Sequence, residues 1–410
     1  MSLDLTSNHQ RWPIRDALRR AWRRGRSTLP KEGFVFGRPL VVLQSDDWGR
    51  AGMRDIECWE QLRTAGVNLG EHPYDFYSLE TTDDVEGIAS VLNLHRDSSG
   101  RPACFEMNFL SANVDFARVS ACDLAEIHLR PLAEGLPDGW NRPGLMAAYR
   151  HGITSGLFSP ALHGLTHFCR TAAERYLNDA GERGALLRTL WKAGVPYIHW
   201  RMPWMGFEYA DRKPDGNEEF LSSNIQEPLI AEAVVAFRQL FSAAPRSACA
   251  PGYRADRSTH RAWAQNGIQV AQNGPGTFAA PHFDFDAESP NLLHLYRTLD
   301  FEPAVAKEFS LEACISKAEL SLAHGIPAII SVHSINFHSS LRDFRTRTLM
   351  LLDEFLSVLE AKHPDLLYVR DEDLYDLIQT GKFESMQAAV SVRVTKKAFN
   401  GSTLAATGTS

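Results

Sequence analysis

Between Gly37 and about Phe383 the chain alternates short apolar runs with amphipathic stretches, and no other feature restricts its fold so strongly. PLVVLQS (39–45), PACFEMNFL (102–110), LFSPALH (157–163), SACAPGY (247–253), IQVAQN (268–273), PAIISVHS (327–334) and LLYVR (366–370) read as buried strands, with GVPYIHW (194–200) as an eighth candidate. Between them, MRDIECWEQLRTAG (53–66), RSTHRAWAQNG (257–267), SLEACISKAELSLAHG (310–325) and LRDFRTRTLMLLDEFLSVLEAK (341–362) have helical spacing. Strands that are apolar on both faces and alternate with helices call for a largely parallel α/β sheet, open or closed into a barrel. Such sheets carry their functional side chains at the C-terminal ends of the strands. The expected organisation is a tail with a basic helix over 1–35, one α/β unit over 36–384, and a flexible tail rich in Ala, Ser, Thr and Gly over 385–410.

Bulk properties exclude several classes of function. A net charge of −7 argues against a nucleic-acid partner. The sequence has no 18-residue apolar run, and its start lacks the apolar core of a signal peptide. Six scattered cysteines without a CxxC pair fit reduced thiols, hence an expected cytoplasmic location. Arg11–Arg26 departs from the average, with seven arginines against one aspartate and Ile14, Leu18, Ala21 and Trp22 at helical spacing. It reads either as a helix on an anionic membrane surface, placing the protein peripherally at the inner face, or as a helix packed on its own protein.

Polar residues gather where the strands end. LVVL runs into Gln44, Ser45 and then two adjacent carboxylates, Asp46 and Asp47. His163 and His167 follow the third strand, Pro251–Tyr253 end a later one, and His333, Asn336 and His338 follow PAIISV. In HGLTH one helical turn would bring both imidazoles to one side, as a metal requires. Gly164 stands where a thermolysin-type motif has its glutamate, so the carboxylate must come from elsewhere, and Asp47 supplies it. Two histidines and one carboxylate leave a position open for water or substrate. One aspartate would then hold the metal while the other faces the water, and the metal's charge makes the pair tolerable.

In this order and spacing the motifs resemble the polysaccharide deacetylase superfamily, or carbohydrate esterase family 4, and within it a bacterial branch labelled polysaccharide (de)acetylase. SDDWG is similar to its first motif, HGLTH to its metal-binding His-x-x-x-His, APGYR (250–254) to its substrate loop, and IISVHSINF to its last strand with the catalytic histidine. The resemblance covers about residues 38–380. It implies a distorted (β/α)7 barrel that hydrolyses acetyl groups from N-acetylated sugars. It assigns Asp46 and His333 to catalysis and Asp47, His163 and His167 to the metal. Pro251, Gly252, Tyr253, Arg254 and, at the same rim, Asn336 would contact substrate. One divalent ion per chain is expected, zinc first, with cobalt, nickel, iron and manganese compatible. The substrate would be an N-acetylated sugar or glycan precursor. The sequence departs from the family at the start of the third motif, where Cys249 and Ala250 replace the arginine that holds the catalytic aspartate. Arg254, Arg201 and Arg297 are alternative candidates to replace it, and the sequence does not choose among them. Trp48 interrupts the usual Asp-Asp-Gly, and residues 201–224 form an insert that would cover the site.

The chemistry also follows from the residues. Amide hydrolysis needs an activated water, an acceptor for its proton, a stabilised oxyanion and a proton for the leaving amine. Asp46 would take the first proton and His333 deliver the second. Backbone N–H groups near Tyr253 would face the oxyanion. Two other readings stay open: a non-catalytic glycan-binding protein on a degenerate barrel, and a glycosyltransferase using Asp284 and Asp286 of FDFD. The absence of GxSxG argues against a serine hydrolase.

Overall fold

A computed structural model describes residues 31–274, 284–385 and 389–399. The basic helix expected over Arg11–Arg26 lies outside the described residues. No described helix is long and apolar enough to cross a membrane.

The fold is α/β with a parallel central sheet. Its strands are β1 (Leu40–Trp48), β2 (Phe105–Phe109), β3 (Phe158–Leu162), β4 (Ser247–Cys249), β5 (Val270–Asn273), β6 (Leu293–Tyr296), β7 (Leu299–Asp300), β8 (Ala328–His333) and β9 (Leu367–Tyr368). Pairing runs β6-β5-β4-β3-β2-β1-β8-β7, every pair parallel. Only Arg297 and Thr298 separate β6 from β7, so one continuous segment pairs with β5 on one side and β8 on the other. That segment closes the sheet into a seven-position barrel. The bottom of β1 also pairs with β9, which fills the space below the start of β2. The distortion lies there.

Strand alternation divides the residues between two environments. Val41 and Leu43 face outward into the main apolar layer beneath the helices, including Arg345–Lys362 and Leu311–Ala323. Leu40 and Val42 face inward and join Val270, Leu293, Leu295 and Ile329 in the lower barrel, above helix Asp371–Thr380. Higher inside, the fill turns polar. Gln44, Gln272 and Ser247 all donate to Asp371, which enters from the helix N-terminus below. Asp46 and His333 stand directly opposite one another at the rim, in the register that pairs β1 with β8.

Three expectations need correction. GVPYIHW is a loop leading into the short turn His199–Arg201, because Pro196 and the preceding helix end at Gly194 interrupt any ladder. The strand Leu293–Asp300 was missed, since His294, Arg297 and Asp300 break its apolar run. The tail expected over 385–410 contains two strands in its described part, and its residues 386–388 and 400–410 lie outside the described residues. Val394–Phe399 pairs antiparallel with Lys31–Phe36, and Ala389–Ser391 with Lys382–Glu384. Val390, Val392 and Val394 alternate with polar residues, and their apolar faces join the lower layer.

Candidate functional site

Two adjacent carboxylates face one site because β1 is irregular at its end. Its register against β2 shifts between Ser45 and Trp48, a bulge that re-aims the chain. Asp47 sits there at φ 74, a left-handed conformation that costs a non-glycine residue about 1–2 kcal/mol. Tyr77 Oη (2.8 Å) and Ser334 Oγ (3.3 Å) both donate to the Asp47 carbonyl and hold this turn. Both aspartates are buried.

Asp47 lies against the two histidines of HGLTH. Its Oδ1 is 3.1 Å from His167 Nε2 and 3.5 Å from His163 Nε2. One ligand atom from each of the three residues falls within 4.8 Å of the others. The motif is not helical as expected. It is a loop beyond β3, turned by Gly164 at φ 94. A side chain at Gly164 would collide with the Glu208 carboxylate, whose Oε1 accepts from the N–H groups of Leu165 (2.8 Å) and Thr166 (2.9 Å). Glu208 therefore shapes the loop between the histidines. Burial pushes its carboxyl up to about 8.

The outer contacts of the triad leave its inner atoms free. His163 Nδ1 bonds the Cys249 carbonyl at 2.9 Å, so this nitrogen carries the proton and Nε2 a lone pair. His167 Nδ1 pairs with the Tyr197 hydroxyl. Burial, aided by the Arg50 guanidinium, lowers His167 to about 4, so its ring is neutral. Arg50 Nη1 donates to Asp47 Oδ2 at 3.0 Å, between the Tyr77 and Tyr197 rings, leaving Oδ1 as the candidate ligand atom. Asp47 Oδ1 and His163 Nε2 are buried without a hydrogen-bond partner, an arrangement that is costly in a protein interior unless an ion completes it. The donor set fits a divalent transition metal.

Asp46 points to the other side. Arg297 clasps it with two bonds of 2.6 Å, Nη1 to Oδ2 and Nη2 to Oδ1. Asn108 Nδ2 adds 2.7 Å to Oδ1. Burial alone would raise this carboxyl, but Arg297 overrides it and holds Asp46 well below the usual carboxylate range. Of the three arginines considered, the structure selects Arg297, from the barrel-closing segment. It comes within 3.7 Å of Cys249 Sγ, so the small side chain at 249 leaves room for a guanidinium arriving from another strand. Arg201 is paired with Asp75 and Arg254 with Glu218.

His333 Nε2 lies 3.9 Å from Asp46 Oδ2, and its Nδ1 is 2.6 Å from Glu302 Oε1. Burial opposes its charge, but Glu302 more than compensates, and the imidazole rises to about 10. Glu302 went unnoticed in the sequence. Its only signal was its position after a strand that was itself missed.

Asn336 takes a different role from the one expected. Its Nδ2 donates to Glu302 Oε2 (2.5 Å) and to the His333 carbonyl (3.0 Å), and its Oδ1 accepts from Ala304 N–H. It is fully buried and has no polar atom left for substrate; it positions Glu302. Pro251–Tyr253 form a short turn with Gly252 at φ 59, where a side chain would strike the Phe207 ring. The Tyr253 N–H is used inside that turn, donating to Ala250 O at 2.8 Å, so it does not face an oxyanion. Its hydroxyl instead meets Asp46, Ser331 and Arg297. Arg254 turns away to Glu218 of the insert. Insert residue Phe207 packs edge-on to His167 at 5.7 Å and lies 5.2 Å from His199, so the insert borders the site.

Asp284 pairs with Lys396 and Asp286 with His294, so the two acids of FDFD do not converge on one ligand.

No protein-family model matches the sequence, and no curated protein does. Among solved structures, the chain is similar to a "probable Polysaccharide deacetylase" from Pseudomonas aeruginosa, at 12% identity and TM-score 0.44, over 84% of this chain and 92% of that one. It is similar to a family 4 acetyl xylan esterase from Clostridium thermocellum in complex with a cobalt ion, at 10% identity and TM-score 0.34, over 82% and 91%. A CE4 family pseudoenzyme from Bacillus anthracis matches at 9% identity and TM-score 0.36, over 83% and 66%. The chain thus resembles polysaccharide deacetylase structures over most of its length. At these identities the likeness concerns the course of the chain and not its chemistry.

Proposed function

We propose that this protein is a metal-dependent hydrolase of the polysaccharide deacetylase type, removing acetyl from an N-acetylated sugar or glycan precursor. One observation carries the reading. Ligand atoms of Asp47, His163 and His167 converge, those of Asp47 and His163 without a hydrogen-bond partner, beside a clamped carboxylate, Asp46–Arg297, and a carboxylate-backed imidazole, His333–Glu302. Asp47, His163 and His167 would hold the ion, zinc first among the metals this donor set suits. When bound, a divalent ion lowers the pKa of its water towards about 7 and polarises a carbonyl.

The protein's own groups do the rest. Asp46, ionised and fixed by Arg297, accepts the proton of the attacking water as the C–O bond forms. His333, charged through Glu302, gives its Nε2 proton to the amide nitrogen as the C–N bond breaks, leaving acetate and an amine. Glu302 keeps the proton of His333 on the ring, and Asn336 holds Glu302. A non-catalytic glycan binder drew its support from the missing motif arginine, and Arg297 removes that support.

We place the reaction in the cytoplasm on the six free thiols, with a nucleotide- or lipid-linked precursor as substrate. The test is acetate release from a panel of N-acetyl sugars by zinc-loaded protein, with Asp47→Ala as control. Activity in the wild type and none in the variant is expected. No release from any sugar by fully loaded protein would remove the reading.

A further inference from the structure

A second group of metal-ligating side chains lies outside the barrel. Leu293 and Leu295 face the interior, so His294 between them faces outward, towards helix Arg257–Gln265. Asp286 follows the short strand Asp284–Phe285, which runs antiparallel to β6. Its N–H bonds Leu292 O, which places it on the same face of the hairpin as His294. Its Oδ1 accepts from the N–H groups of Glu288 (2.9 Å) and Ser289 (2.8 Å), and these fix the carboxylate with Oδ2 turned to His294 Nε2 at 3.1 Å. From the helix, His260 brings its ring edge-on to that of His294, with centroids 4.7 Å apart. One ligand atom from each residue falls within 4.8 Å of the others.

We propose that His260, Asp286 and His294 form a second site for a divalent transition-metal ion, tying the helix to the hairpin that leads into Arg297. Three observations carry this. The donor set, two imidazoles and one carboxylate, has the composition of a zinc or cobalt site. His260 Nε2 is buried and has no hydrogen-bond partner, the kind of orphan that an ion relieves. The Asp286–His294 separation is already near the edge of a tetrahedron with bonds of 2.0–2.1 Å, about 3.3 Å. A hydrogen-bonded histidine–aspartate pair accounts for His294 and Asp286 but leaves His260 unexplained. The role is structural. The three ligands come from helix 257–265, residue 286 and strand β6, and joining them fixes the outer wall of the segment whose inner side presents Arg297 to Asp46.

The proposal stands apart from the function assigned to the barrel mouth, and zinc stoichiometry separates the two. Full-length protein stripped with chelator is titrated with Zn2+ against a chromophoric competitor. Wild type should take up two equivalents, His260→Gln and Asp286→Asn one each, and the double variant His163→Gln/His167→Gln one. Zn2+ should still raise the melting temperature of that double variant, and adding His260→Gln should abolish the shift. His260 is partly exposed on a helix, so its glutamine variant should keep wild-type circular dichroism. A single equivalent in wild type that disappears in His163→Gln/His167→Gln would overturn the proposal. So would two equivalents that persist in both His260→Gln and Asp286→Asn.

Discussion

Arg297→Met tests the reasoning about the barrel interior most directly. Arg297 is completely buried and spends both terminal nitrogens on Asp46, with further bonds from Nε to Gln44 (2.9 Å) and from Nη2 to Gln272 (3.0 Å). The variant leaves the Asp46 carboxylate, 2% exposed, with Asn108 at 2.7 Å, the Tyr253 hydroxyl at 3.4 Å and the His333 ring at 3.9 Å. Stranding one partner of a buried ion pair costs about 3–5 kcal/mol, while removing both often costs little. Arg297→Met should therefore lose about that much stability at neutral pH, and Asp46→Asn/Arg297→Met should recover more than half of it. The pH dependence sharpens the test. In the wild type Asp46 has a folded pKa below its unfolded value of about 3.9, so the pair's contribution is complete above that pH and is lost on acidification. In the variant burial is opposed by His163 and His333 but no longer by Arg297, and the pKa rises. The penalty then grows as pH rises through and beyond 4 and vanishes where the carboxyl is neutral in both states. The assay is urea unfolding of metal-free protein from pH 3.5 to 7.5, followed by tryptophan fluorescence. A wild-type-minus-variant gap under about 1 kcal/mol at pH 7, or one that does not change down to pH 3.5, would refute the argument.

The remaining predictions concern the site. Asp47→Ala should lose metal and activity together, whereas Asp46→Asn should keep the metal, by elemental analysis, and lose about 10²–10⁴-fold in turnover; reversed outcomes would exchange the two roles. Glu302→Gln removes the charge that raises His333, so the alkaline limb of the rate profile should move to lower pH with metal content unchanged. An unmoved limb would remove His333 as the acid. Glu208 has a folded pKa of about 8, above its unfolded value, so its contribution is complete at acid pH and is lost as pH rises through 8. Glu208→Gln should flatten the fall in stability between about pH 5 and 8.5, measured by thermal unfolding, because the amide oxygen still accepts from Leu165 and Thr166. Gly164→Ala should weaken zinc affinity at least tenfold in a competition titration, because it displaces the loop that carries both histidines.

By itself the sequence determined what depends on neighbours along the chain. Apolar runs of strand length, ended by Asp46–Asp47, His163 and His333, marked a parallel α/β sheet and its candidate functional rim, since period and strand-end position are local properties. The four-residue spacing of His163 and His167 was enough to pair them, although the loop that does so is not helical. The tertiary structure alone decided what depends on closure. Arg297 is 251 positions from Asp46, and Glu302 is 31 from His333. Both ride on the segment that joins β5 to β8, whose polar residues hid it as a strand. Those residues are polar because the upper barrel is filled by hydrogen-bonded charge instead of hydrocarbon, so the rule that buried strands are apolar fails there. Asn336 reads as a rim residue in the sequence and turns inward in the fold, because the Glu302 carboxylate beneath it needs a donor. Which buried group satisfies which is settled only when the ring closes and places distant donors and acceptors within about 3 Å of each other.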